Sequence, residues 1–511
     1  MSASQPTTSA SSDKLDRGLL LVSAVVVLGA VMSILDVTVV NVAVKTLAED
    51  FDAQLSTIQW VVTGYTLALA TVIPLTGWGA ERFGTKRLYL TSIVLFLCGS
   101  VLSGLAWSAT SLIVFRVLQG LGGGMLMPAG MTILTRAAGP HRVGRVMAVV
   151  GVPMLLGPVF GPILGGWLVD DFSWRWIFFI NIPIGAVALV LALRVLPRDV
   201  PRAAERLDLL GLCLLSPGLA LLIYGLAESS SEGGFGVPKV YLPAIAGALA
   251  IAAFIWHGLH ADNALIDLRL FANKVFSGSI VTLALMIVAV FGGMLLLPLY
   301  LQVVRGENAF DTGLLLAPQG IGAMVTMPLA GRLSDRTGVG RIVPFGLAAV
   351  VVAFVGLTQL GSDTSYWLFA IWVFVMGAGM GATMMPVFSG AMQTLRRNDI
   401  AKASTTLNIV QQVGSSIGTA VLSVLLANAL TDRLPSQPGG GGGGLGAISA
   451  LPAEARDKLA PLMADAFGHT FWWAVGLVVA ALVVSIVVLP KHKPEPLEDP
   501  EEELTTAAMF G

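Results

Sequence analysis

Residues 19–44 read LLLVSAVVVLGAVMSILDVTVVNVAV. At about 1.5 Å of rise per helical residue, this run is long enough to cross the roughly 30 Å hydrocarbon core of a bilayer. It is too long for the core of a signal peptide and lacks a cleavage site. It holds no basic residue and a single acid, Asp36. A carboxylate near the middle of a bilayer costs about 2.5–3.5 kcal/mol on insertion scales, so it persists chiefly where it faces a bundle interior or a water-filled path. Asp36 therefore reads either as a proton carrier or as a structural acid locked to a basic partner.

The rest of the chain agrees with that first run. Its 511 residues are 55% hydrophobic and 12% charged, against roughly 25% charged in soluble domains. Mean hydropathy is +0.82. Such a chain cannot hide its apolar surface in a soluble core, which makes it an all-α integral membrane protein. A net charge of −1 gives no argument for a nucleic-acid partner. Cys98 and Cys213 both fall in apolar runs and read as buried free thiols, with no disulfide framework or metal site. The five histidines, at 141, 257, 260, 469 and 492, are scattered. No metal cluster or nucleophile–base pair emerges, which argues against an enzyme.

Apolar runs between charged or turn-rich breaks number about fourteen, at approximately 19–44, 57–80, 87–107, 110–135, 144–169, 175–196, 208–227, 239–260, 275–304, 312–331, 342–361, 366–395, 402–430 and 468–489. With the N-terminus inside, inner segments and tails hold 22 of the 30 Lys and Arg residues, outer segments seven, and Arg116 lies within a span. This bias predicts cytoplasmic termini on a multi-pass protein of the cell membrane. Residues 1–17 and the acidic 491–511 read as disordered tails. The outer loop 431–467 carries six glycines, Gly439 to Gly444, without a following Gly-Lys-Ser/Thr, and so reads as a linker with a short surface helix over 452–466.

An internal repeat sets the domain plan. The inner loop Gly77-Trp-Gly-Ala-Glu-Arg-Phe-Gly-Thr-Lys-Arg87 is echoed 254 residues later by the loop Gly331-Arg-Leu-Ser-Asp-Arg-Thr-Gly-Val-Gly-Arg341. Gly122 to Pro128 is echoed by Gly379 to Pro386 at nearly the same offset. Eight spans separate matching points where a plain duplication of six would give six. The expected plan is a six-helix bundle at 18–206, a two-helix insert at 207–262 and a second six-helix bundle at 263–490. Duplicated halves are a mark of transporters that hold substrate between them near the bilayer midplane.

Four motifs then resemble the major facilitator superfamily, in its fourteen-helix drug–proton antiporter branch. Leu35 to Ala43 resembles the first-helix motif of that branch, and Gly77 to Arg87 the signature between the second and third helices, with Glu81 where Asp is usual. Leu112 to Gly120 resembles the fourth-helix motif, with Arg116 as its basic residue. Gly151 to Gly166, with Gly157-Pro158 and Gly161-Pro162, resembles the fifth-helix antiporter motif. The resemblance implies a proton-coupled exporter of hydrophobic or amphiphilic small molecules, with protons as the coupling ion and no other cofactor. The alternative is a dedicated exporter of one natural product. It also implies gating roles for Gly77, Glu81, Arg82, Gly84, Lys86, Arg87, Gly157, Pro158, Gly161, Pro162, Asp335 and Arg336. The late spans ten and thirteen carry no acid, which favours neutral or monocationic substrates over dications.

Depth can be reckoned from helical rise: Asp36 falls roughly 13 Å below the outer surface, and Arg116 and Tyr65 lie near the same level. The three are expected to face one cavity, with Arg116 either a coupling partner or a fixed interhelical ion pair. Other polar or aromatic residues inside spans, expected to line a substrate cavity, are Asn41, Trp60, Gln119, Gln302, Gln319, Asn408, Gln411 and Gln412. The bilayer and a small-molecule substrate are the expected partners, and the protein is expected to be a monomer.

Overall fold

In hydrocarbon a backbone N–H or C=O must find its partner within the protein, and a helix does so within one segment. A computed structural model describes residues 17–53, 55–138, 142, 146, 161, 164–169, 171–197, 207–231, 234–261, 264–307, 309–395, 399–433 and 453–490; most of these are helical, with no strand among them. The helices are α1 (Arg17–Asp50), α2 (Leu55–Phe83), α3 (Thr85–Gly104), α4 (Ala109–Ala138), α5 (Trp176–Phe179), α6 (Asn181–Val195), α7 (Leu209–Ser231), α8 (Pro238–His260), α9 (Lys274–Leu299), α10 (Ala309–Thr337), α11 (Val339–Leu357), α12 (Tyr366–Gln393), α13 (Ile400–Arg433) and α14 (Ala453–Val488). A π-helical turn, Tyr300–Val304, extends α9. The short α5 and α6 make one span.

Thirteen stretches among the described residues are long and apolar enough to cross a membrane, and they correspond to thirteen of the fourteen expected spans. The other expected span, 144–169, lies mostly outside the described residues, of which Gly161 and 164–169 are helical. Three expectations need correction. The surface helix over 452–466 is instead the first part of the long α14, with Met463, Ala464, Ala466 and Phe467 buried. Cys98 and Cys213 are exposed thiols rather than buried ones, on outward faces of α3 and α7. The segments 77–87 and 331–341 are hardly loops at all. Helix α2 continues to Phe83 and α3 begins at Thr85, so the turn is one residue, Gly84, with φ 87°. Gly338, with φ 90°, makes the same turn between α10 and α11. A Cβ would clash in that backbone region, which is why glycine stands at both positions.

Packing repeats with the sequence. Helix α4 is covered by α1, α2 and α3, and α6 lies on α1 and α3. In the second half, α12 is covered by α9, α10 and α11, and α14 lies on α9 and α11. The halves meet at α13, which touches α2 and α4 as well as its own neighbours. There Ser404 Oγ donates to Pro128 O at 3.0 Å. A Cβ on Gly77 would lie 3.2 Å from Thr405 Oγ1 and 3.7 Å from the Lys402 Cα, so α2 and α13 touch backbone to backbone.

The inserted pair is no loose appendage. Helices α7 and α8 pack on each other, and α7 also lies against α2 and α13, along the seam between the halves. Ser216 Oγ donates to Thr71 O at 2.6 Å, and Tyr224 stacks on Trp60 with centroids 5.7 Å apart. Leu215, Leu219 and Phe254 form an apolar cluster completed by Trp78 of α2 and by Ile409 and Val413 of α13.

The seam contact is open to a direct check. In a Cys98→Ser, Cys213→Ser background, Gly77→Cys and Thr405→Cys should oxidise to a disulfide, since their side chains fall within the few ångströms such a bond spans. Mass spectrometry of alkylated thiols reads the outcome; two free thiols after oxidation would contradict the contact.

Candidate functional site

Asp36, on α1, is 1% exposed, and Arg116, on α4, is 0% exposed. Nη1 of Arg116 donates to Asp36 Oδ2 at 2.5 Å. Gln119 lies one turn along α4 on the same face, as a spacing of three dictates. Its Nε2 donates to Asp36 Oδ1 at 2.7 Å, and its Oε1 accepts from Arg116 Nη1 at 2.8 Å. The three side chains close a ring. A fourth, Asn181 at the start of α6, donates from Nδ2 to Asp36 Oδ1 at 3.1 Å and to Ser100 Oγ of α3 at 3.1 Å. Arg116 Nε reaches Val61 O of α2 at 3.3 Å, and the guanidinium lies 4.1 Å from the Tyr65 ring centroid. Tyr65 in turn has its hydroxyl 3.4 Å from Ser33 Oγ.

Such an arrangement needs helices that come close. A Cβ on Gly99 of α3 would lie 2.6 Å from Gln119 Cα, and one on Gly120 would lie 2.5 Å from Tyr65 O. Apolar side chains, including Leu35, Val39, Ile58, Leu112, Ile177 and Phe178, wall the site off. An isolated charge in such surroundings is costly, so each charge here is paired and hydrogen-bonded. The net charge of the pair is zero, and Asp36 carries the one carboxylate among the groups named.

Of the residues expected from sequence, Asp36, Arg116, Tyr65 and Gln119 converge. The side chain of Asn41 lies outside the described residues. Trp60 is exposed and stacked on the insert. The others sit in the second half and do not join this cluster. Gln319 is buried and donates to Met380 Sδ at 3.4 Å, Asn408 donates to Ser404 O at 2.8 Å, Gln411 and Gln412 are half-buried, and Gln302 is exposed in the π-helical turn.

Of the expected gating residues, Gly77 packs on α13. Lys86 Nζ donates to Leu193 O at 2.9 Å and Leu196 O at 2.6 Å, capping the end of α6. Glu81 is half-buried, while Arg82, Arg87 and Arg336 are exposed. Gly161 packs on Thr38 of α1. Gly157, Pro158 and Pro162, and the Asp335 side chain, lie outside the described residues. Sequence reasoning missed Asn181 and Ser100. Asn181 is a polar residue inside an apolar span, the same signal that singled out Asn41.

Removing one member of a buried pair strands the other. Arg116→Ala should cost about 3–5 kcal/mol of unfolding free energy in mixed micelles. The neutral double variant Asp36→Asn, Arg116→Gln should recover most of that loss.

With this geometry in hand, relatives can be compared. The model of the Major Facilitator Superfamily matches residues 26–419. The Multidrug resistance protein B homolog of Mycobacterium tuberculosis (strain ATCC 25618 / H37Rv) is 44% identical over 497 residues, covering 94% of this chain and 92% of its own. The Multidrug export protein EmrB of Escherichia coli (strain K12) is 31% identical over 412 residues, 80% of each chain. Among solved structures, the human organic anion transporter MFSD10 superposes with a TM-score of 0.59 at 14% identity, over 90% of this chain and 99% of that one. The proton:xylose symporter XylE gives 0.58 at 15% identity, over 95% and 98%. Those two likenesses establish the fold alone. Family model, relatives and architecture agree: this chain belongs to the Major Facilitator Superfamily.

Proposed function

We propose that the protein is a proton-coupled exporter of hydrophobic or amphiphilic compounds, working by alternating access, with both termini in the cytoplasm. The observation that carries the reading is the sealed Asp36–Arg116 pair, a titratable charge held off water in one half of the molecule. The names of the relatives, a multidrug resistance protein homolog and a multidrug export protein, support drug-like substrates.

The physical cycle follows from the pair. A proton on Asp36 removes the charge that neutralises Arg116, leaving a cation in apolar surroundings. The cheapest remedy is movement of α4 against α1, bringing the guanidinium to a new acceptor or to water. Release of the proton restores the pair. With positive residues inside, the seam at Gly77 and Ser404 lies on the cytoplasmic side, and movement that parts α13 from α2 and α4 opens that side. One charge crossing 100 mV is worth about 2.3 kcal/mol, enough for a roughly forty- to fiftyfold gradient of a neutral substrate without ATP.

Proteoliposomes test the reading. An imposed proton gradient should drive uphill movement of a lipophilic fluorescent dye, and dye should in turn drive proton flux. Asp36→Asn should abolish both while dye–dye exchange persists. Full uphill transport by Asp36→Asn would sink the assignment.

A further inference from the structure

Asn181 is 0% exposed and is the first residue of α6. Its amide nitrogen is fully used, donating to Asp36 Oδ1 and to Ser100 Oγ. Its amide oxygen, buried in the same cluster, has no hydrogen-bond donor among the described residues. A buried acceptor left bare is costly, by about 1–3 kcal/mol in typical cases. The bare oxygen and the donor to Asp36 belong to one planar group, and a half-turn about the Cβ–Cγ bond exchanges them.

We propose that Asn181 is a positioning residue that serves Asp36 in both protonation states, donating to the carboxylate from Nδ2 and, once turned, accepting the carboxylic acid proton on Oδ1. Ser100 completes the exchange. Its hydroxyl donates to Phe178 O at 2.8 Å while accepting from Asn181. When the amide turns, that hydroxyl rotates its proton from Phe178 O onto Asn181 Oδ1, so the oxygen that was bare gains two donors while Nδ2 takes its former place and gives up its two acceptors. No bond other than Asp36 O–H forms or breaks, and the amide and hydroxyl protons stay on their own atoms.

The backbone need not move for this to happen. Helix α6 is tied at its far end by Lys86 through Leu193 O and Leu196 O. The groups that face Asp36 from its neighbours are Arg116 and Gln119 from α4, Tyr65 from α2, Ser100 from α3 and Asn181 from α6, so Arg116 is the only other charge at the site among the described residues. Gln119 and Arg116 stabilise the ionised form alone as they stand. Asn181 is the member with an acceptor to spare.

The inference rests on Asp36 being the proton site, and one experiment separates the two claims. Infrared difference spectra of the full-length protein in liposomes are titrated with pH, and the carboxyl C=O band belonging to Asp36 is the one that Asp36→Asn removes. Asn181→Leu matches the volume but neither donates nor accepts. Its midpoint should stay within about 0.5 pH unit, because the carboxylate loses a donor and the acid loses an acceptor of similar strength. The band should move to higher frequency, because the acid loses its acceptor. Asn181→Asp keeps the shape, replaces the donor by a second carboxyl that must share a proton with Asp36, and should raise the midpoint. It also covers the case in which Asn181→Leu fails to fold. A purely structural Asn181 would lower yield or melting temperature and leave the frequency where it was, which overturns the inference. If Asp36→Asn removes no titrating band, the proton-site reading falls and takes the inference with it.

Discussion

A carboxylate and a guanidinium 2.5 Å apart, with neither in contact with solvent, set the terms for the whole first half of this protein. Burying two charges is tolerable only if every remaining lone pair and N–H is met. That demand recruits α1, α2, α3, α4 and α6 to a single point. It explains why α4 is the central helix of its half and why glycines stand where α3 and α2 cross it. Small residues usually make membrane helices pack closely; here the closeness also brings polar groups within reach of one another.

The second half repeats the architecture without the chemistry. Helix α12 takes the place of α4 under the same three-helix cover, yet the amides Gln319 and Asn408 of that half bond to a methionine sulfur and to their own helix. Among the described residues, the fully buried ion pair thus lies on one side of the seam. The insert rests on that seam through α7, touching α2 from one half and α13 from the other. Any relative rotation of the halves has to slide across Ser216, Tyr224 and the Leu215–Phe254 cluster.

Much of this was legible in the order of residues, because in a membrane length and apolarity alone define the helices. Asp36 and Arg116 stood out because charge inside an apolar run is expensive, and helical rise put them at one depth. Asn181, an amide between Ile180 and Ile182, carries the same signal as Asn41, but that signal does not say that α6 lies on α1 and α3 and brings it to Asp36. Which polar side chain meets which is a tertiary fact that one-dimensional spacing does not carry. The charged segment 77–87 misled in the opposite sense. Arg and Lys suggested a loop, whereas at a membrane surface such long side chains extend readily from the end of a helix.

The single-residue turns at Gly84 and Gly338 have a mechanical corollary. A longer loop would let two helices shift independently, but one residue offers no slack, so the joined ends of α2 and α3, and of α10 and α11, displace together as stiff elbows. Compliance then has to reside within the helices. Proline interrupts them at corresponding places, Pro74 in α2 and Pro328 in α10, Pro128 in α4 and Pro386 in α12. Each removes a backbone hydrogen bond from its helix. The bending stiffness of the molecule is therefore lowest part-way through its rods and highest at their joints.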